Sequence, residues 1–213
     1  MKIISLSYDE AGYACSIASS IKLKYKNITN FFDYLVVDMK TINDILVLKN
    51  INLLTNNFYI EPIKNHDTSS VKWNNFNKLI SYHDLINNYT EIDLDNLKKK
   101  YTRRFFRLIN DIYSENVIFF IRYGKTPENE IKKFNKNIKN LNEKIIFYFI
   151  NVDYDENKKD NIIYQDINNY IYINLNIFNE KKVNNDDLYF RILEYNWDFV
   201  FNLIEKNNKN YNK

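Results

Sequence analysis

Apolar residues along this chain fall into continuous runs and helical stripes, and the alternation of the two predicts its architecture. In the second half, Leu94, Leu97, Tyr101, Phe105, Leu108 and Ile112 recur every three or four residues and predict one long helix. NVIFFIRY (Asn116–Tyr123) follows as an unbroken apolar run, the mark of a strand buried on both faces. Thr126 and Pro127 then suit an N-cap and a first helical position. Ile131, Phe134, Ile138 and Leu141 form the stripe of the next helix, and KIIFYFINV (Lys144–Val152) is a second unbroken run. Such a strand–helix–strand unit predicts two parallel strands joined by a crossover.

The first half is patterned less sharply. KIISLS (Lys2–Ser7) predicts a first strand, followed by Asp9, Glu10, Gly12 and a helix to about Lys24. NFFDYLVV (Asn30–Val37) predicts a second strand, Thr41–Leu48 a short helix and Phe58–Ile63 another strand. Lys64–Asn77 is polar and reads as a loop, and Lys78–Tyr82 as a short strand running into His83. Near the end, Ile162–Asp166 and Tyr170–Leu175 predict two short strands, and Asp186–Ile204 a final helix carrying Trp197. No repeat or Pro/Gly/Ser linker divides the chain. Residues 1–205 are expected to form a single α/β domain, a mostly parallel or mixed sheet covered by helices, with 206–213 a disordered polar tail.

Composition narrows the chemistry. Among 213 residues, 18 Tyr and 15 Phe supply enough aromatic surface to offset chain entropy. The excess of Asn and Ile (37 and 30) beside Lys and Tyr follows A/T-rich codons, as in a large DNA virus or a low-GC microbe. Scarcity says more. The two glycines, Gly12 and Gly124, cannot build a G-x-G-x-x-G turn or a Walker A loop. One Cys and two His leave no disulfide framework, no multi-thiolate zinc site and no three-histidine site, so neither metal nor cofactor is expected.

A net charge of +3, from 30 basic and 27 acidic residues spread along the chain, gives no broad basic face, and no nucleic-acid partner is expected. No apolar run approaches the length of a membrane span, and Asp9 and Glu10 interrupt any signal-peptide core. The expected location is cytoplasmic, meaning host cytoplasm or virion for a viral chain. The apolar strands leave room for a homodimer face.

In an open α/β sheet, ligands collect beyond the carboxyl ends of the strands. Gly12 and Cys15 follow the first strand, Asp33 lies in the second, and His83-Asp84 closes the strand after Leu79. Arg122 and Gly124 end one apolar run and Asp153 the other, so parallel strands would gather these residues at one edge. Cys15 can be a nucleophile near a helix N-terminus, or a small packing residue in the stripe Ala11, Cys15, Ala18, Ser19. His83 suits a base or a hydrogen-bonded structural role, whereas His66 sits in the polar loop. Only five residues are Arg. Arg104, Arg107 and Arg122 could grip a carboxylate or phosphate, or simply pair with acids on the helix surface.

ISLSYDEAGYACSIA, NFFDYL, SYHDL and KKKYTRRFFRLI running into VIFFIRY occur in an order that resembles a papain-like cysteine peptidase family, the DUF1796 group. The resemblance covers about Lys2 to Asp153. It implies a cysteine hydrolase of peptidase, amidase or thioesterase type, acting on a protein or a small acyl substrate. Cys15 would be the nucleophile, His83 its base, Asp84 the acid of the H-D block and Asp33 that of the F-D-Y block. Amides around Gly12–Cys15 would serve as oxyanion donors. The chain departs from the family pattern in three places: Ser7 replaces Gly, Phe31 replaces Pro and Tyr34 replaces Trp. Two other expectations stand beside this one. One is a transferase-like enzyme holding a phosphorylated or nucleotide-sugar substrate through Arg104, Arg107 and Arg122. The other is a catalytically inert viral binding protein of the same fold.

Overall fold

The computed structural model describes residues 2–7, 14–26, 29–123, 126–154, 161–167, 170–177 and 200–206. Two sheets make an α/β fold. The first has the order β1-β6-β7-β9-β8, built from β1 (Lys2–Ser5), β6 (Val117–Tyr123), β7 (Ile146–Tyr154), β9 (Tyr170–Ile177) and β8 (Asn161–Ile167). β1, β6, β7 and β9 run parallel, and β8 closes the edge antiparallel to β9. The second sheet is antiparallel, in the order β2-β5-β4-β3, from β2 (Leu35–Val37), β5 (Leu79–Ile86), β4 (Thr68–Trp73) and β3 (Phe58–Pro62).

β1, β6 and β7 of the first sheet pack on both faces, as unbroken apolar strands require. On one side Ile118, Phe120, Phe147 and Phe149 join a core with α4 (Glu91–Ser114), α5 (Glu128–Leu141) and the second sheet. On the other, Phe119, Ile121, Tyr148 and Ile150 meet Ile17 and Ile21 of α1 (Ala14–Tyr25) and the helical segment 200–206. The expected strand–helix–strand unit is β6–α5–β7, with β6 and β7 in parallel register from Val117↔Ile146 to Tyr123↔Val152. α4 starts at a capping box in which Thr90 and Asp93 exchange hydrogen bonds, and it buries Leu97, Tyr101, Phe105, Leu108 and Ile112. α2 (Met39–Leu46) is capped by Asp38, whose carboxylate accepts from the Thr41 amide at 2.8 Å.

Three local readings change. Residues 64–77, expected as a loop, contain β4. Its inward Val71 and Trp73 supply the packing, and the Trp73 indole donates to Leu54 O at 2.7 Å across the short helix α3 (Asn52–Thr55). Asp33 precedes β2 instead of lying within it, because the Asn30 amide donates to its carboxylate at 2.6 Å and turns the chain. The strand expected to stop at Tyr82 runs on to Ile86 through His83 and Asp84. Of the expected final helix, 200–206 is described as helical; Trp197 lies outside the described residues.

Candidate functional site

The carboxyl edge of the first sheet is assembled from the exits of β1, β6 and β7. Past Ser5, the chain stays beside β6: the Leu6 amide donates to Ile121 O at 2.7 Å, and Tyr123 N to Ser7 O at 3.3 Å. Ser7 has φ 56°, in the left-handed region that costs a residue with a Cβ and is free for glycine. Its amide donates to Ser5 Oγ at 3.1 Å and its hydroxyl to Leu35 O. A glycine at this position would take up the same backbone without that cost.

Next to it, Arg122 is 1% exposed, and its Nη1 donates to Leu6 O and Val37 O at 3.1 Å each. The guanidinium therefore brackets the ends of β1 and β2, which belong to different sheets. On β7, the buried Asn151 accepts from Thr126 Oγ1 at 2.9 Å. Cys15 is the second residue of α1, which follows this edge in the chain. Its side chain, and Gly12 and Gly124, lie outside the described residues.

Asp33 lies beside the lower half of α1, in a recess of about one water molecule's volume lined by Ala18, Ile21, Lys22, Thr29, Asn30 and Tyr34. Cys15 and Lys22 are seven residues apart, about 10 Å along the axis. Burial pushes the Asp33 carboxyl up to about 6, outweighing the Asn30 amide and the nearby charges of Arg104, Lys2 and Lys22. Tyr34 beside it has φ 66°, a strained value for a bulky side chain. Asn30 donates to Ile3 O at 3.3 Å, which ties the recess to the start of β1.

His83 and Asp84 sit on an irregularity of β5. Ser69 pairs with Leu85 and Val71 with Ser81, so three residues of β5 stand opposite the single Ser70. The bulge re-aims Asp84 inward at α4, where Lys100 and the Tyr101 hydroxyl both reach its carboxylate. Burial pushes that carboxyl up, but the Lys100 charge with hydrogen bonds from Lys100, Tyr101 and Ser81 outweighs it and leaves Asp84 below its ordinary value. Burial, then the Asp84 charge, raises the Tyr101 hydroxyl well above its usual range. His83 is exposed, and no described hydrogen bond joins it to Asp84. Beside the bulge opens a cleft of about 300 Å³ lined by Asp84, Leu85, Ile86, Asp93, Asn96 and Lys100, with Leu97.

The arginines have separate partners. Arg107 donates to Thr29 O at 2.8 Å, and Arg104 lies over the Tyr101 ring at 6.0 Å. Sequence pattern does not single out Lys100, Tyr101 or Asn30 as site residues. Tyr101 stands in the sequence as one member of an apolar stripe, Lys100 as one of three consecutive lysines and Asn30 as one Asn of 37. Among the described residues, no three His, Cys, Asp or Glu are placed to hold a metal ion, and no helix is long and apolar enough to cross a membrane.

Compared with known proteins, the chain matches no family model, no curated protein and no solved structure.

Proposed function

We propose that the chain is a cysteine-dependent acyl hydrolase with Cys15 as nucleophile. The observation that carries this reading is the place of Cys15 in the fold. It is the second residue of α1, the first described element after β1, whose carboxyl end lies at the edge of a parallel pair of strands. There the unpaired amides and the dipole of the helix favour a thiolate and can receive an oxyanion. Attack by the thiolate on an acyl carbon forms a thioester and expels an amine, alcohol or thiol, and water then regenerates the thiol.

His83 is the proposed base. A line of contacts supports it: Ser7 bonds to Leu35 O, Leu35 pairs with Ser81, and His83 follows two residues later. Asp84 has another task. Its carboxylate fixes the bulge to α4 through Lys100 and Tyr101, so it acts on His83 only by holding the strand. Asp33 and Arg122 position the ends of β1 and β2.

The chain has one cysteine, so loss of thiol labelling in Cys15→Ala is trivial. The informative measurements are rates. Iodoacetamide should modify the native protein roughly tenfold faster than free cysteine at pH 7, and urea should abolish the difference. p-Nitrophenyl acetate should give a stoichiometric burst, absent in Cys15→Ser and slowed at least tenfold in His83→Ala. A native thiol no more reactive than free cysteine, with no burst, would refute the reading.

A further inference from the structure

The outward face of α4 has no part in the roles above. Along its 24 residues, Lys99, Arg103, Phe106, Asn110 and Tyr113 follow at alternating intervals of four and three, with Ile92 seven residues upstream, and every one is exposed. Ile92 is 73% exposed, Phe106 51% and Tyr113 57%. The outer face of a surface helix is ordinarily polar. Here three large apolar side chains line up at the 3.5-residue spacing of a coiled-coil seam. The Phe106 ring is set edge-on to Phe105, 5.7 Å between centroids, and Phe105 is anchored in the core. Less rotamer freedom is then lost when Phe106 is covered.

The charges on the stripe specify the occupant. Lys99 and Arg103 form no ion pair among the described residues and lie between the apolar positions, whereas Lys98 meets Asp95 and Lys100 meets Asp84. Aromatic residues beside arginine are the side chains that dominate protein interfaces. Two free cations are too few for a phosphate backbone, whose binders neutralise about 6–10 phosphates. A second copy fits poorly, because antiparallel pairing about the middle of the stripe sets Arg103 against itself.

We propose that this face docks an acidic amphipathic helix of a partner protein. Its apolar seam would cover Ile92, Phe106 and Tyr113, and its carboxylates would meet Lys99 and Arg103. About three heptads of partner helix, roughly 30 Å, match the length of the stripe.

The test uses the full chain and a labelled 21-residue peptide with leucine at the a and d positions of three heptads and glutamate at e and g. A lysine-for-glutamate counterpart and a 20-nucleotide oligothymidine serve as comparisons. Fluorescence anisotropy should show saturable binding of the acidic peptide alone, weakened at least tenfold by Phe106→Ala, by Tyr113→Ala and by Arg103→Glu. These side chains are exposed, so melting temperatures should stay within a few degrees; a variant that melts much lower is replaced by Lys99→Glu, which should weaken binding as well. The proposal is overturned by no binding at millimolar peptide, by equal binding of the basic peptide, or by tighter binding of the oligothymidine. Self-association that Phe106→Ala abolishes would also overturn it in favour of a second copy.

Discussion

Replacing Asp33 by Asn should stabilise the protein at neutral pH and do little near pH 4. The carboxyl is 6% exposed, and burial raises it from 3.8 to about 6 despite three neighbouring cations. A folded value above the unfolded one means that the native state holds the proton more tightly. The stabilisation is fully present below about pH 4, falls as the pH rises through about 6, and is gone above that. At about 1.4 kcal/mol per tenfold change in the protonation equilibrium, the loss is roughly 3 kcal/mol.

Asparagine keeps an oxygen to accept the Asn30 amide and carries no charge, so it avoids that penalty at every pH. Asp84 adds a pH dependence of its own, in the opposite sense and at lower pH, so the quantity to read is the variant-minus-wild-type difference in unfolding free energy. Urea titrations followed by tryptophan fluorescence at half-unit intervals from pH 4 to 8 should show that difference growing by about 2–3 kcal/mol and then levelling off. A difference that stays flat with pH, or an Asp33→Asn protein less stable than wild type at pH 8, would show that the surrounding cations and the Asn30 amide dominate burial.

Substitutions at three further positions probe the frame. Arg122→Leu removes both bonds from Nη1 and leaves the buried carbonyls of Leu6 and Val37 unpaired; a cost of about 3 kcal/mol, or roughly 6–12 °C in melting temperature, is expected, and a fall under 2 °C would contradict the bracket. Asp84→Asn should cost about 2 kcal/mol at pH 7 by weakening the holds of Lys100 and Tyr101. The Asp84 carboxyl is held low, so its stabilisation is present above the ordinary carboxylate range and is lost as the pH falls through the folded value; the gap between wild type and Asp84→Asn in urea titrations should therefore close in acid. At Ser7, glycine relieves about 1 kcal/mol of left-handed strain and loses a hydroxyl bond of similar size, whereas valine keeps the strain and loses the bond. Thermal melts should then place Ser7→Gly near wild type and Ser7→Val well below both.

The legible parts of the fold were the ones with long, uniform patterns. α4, β6, α5 and β7 each carry a run or stripe that only one buried arrangement satisfies. β4 was not legible, because TSSVKW packs through Val71 and Trp73 alone while small buried serines fill the rest. Without β4, nothing in the sequence shows that β5 belongs to an antiparallel sheet or carries a bulge. The expectation that His83 and Asp84 share an edge with Arg122 rested on parallel strands throughout. A bulge is a mismatch in register, and register belongs to a pair of strands, not to one.

Arg122 shows how the candidate site depends on this arrangement. At the end of an apolar strand it reads as a ligand-binding cation. β1 and β2 have only four and three residues, and they lie at the edges of different sheets with no ladder between them. The carbonyls of Leu6, one residue past β1, and of Val37, the last of β2, would be buried and unpaired, and one guanidinium nitrogen satisfies both. Ser7 leaves that bracket with its amide, hydroxyl and carbonyl all bonded, so the chain runs on toward α1 from a fixed point. On the proposed reading, Arg122 acts on Cys15 only through this backbone. Arg122→Leu should then lower thiol reactivity and melting temperature together, whereas His83→Ala, at an exposed position, should slow the acyl burst and leave the melt unchanged.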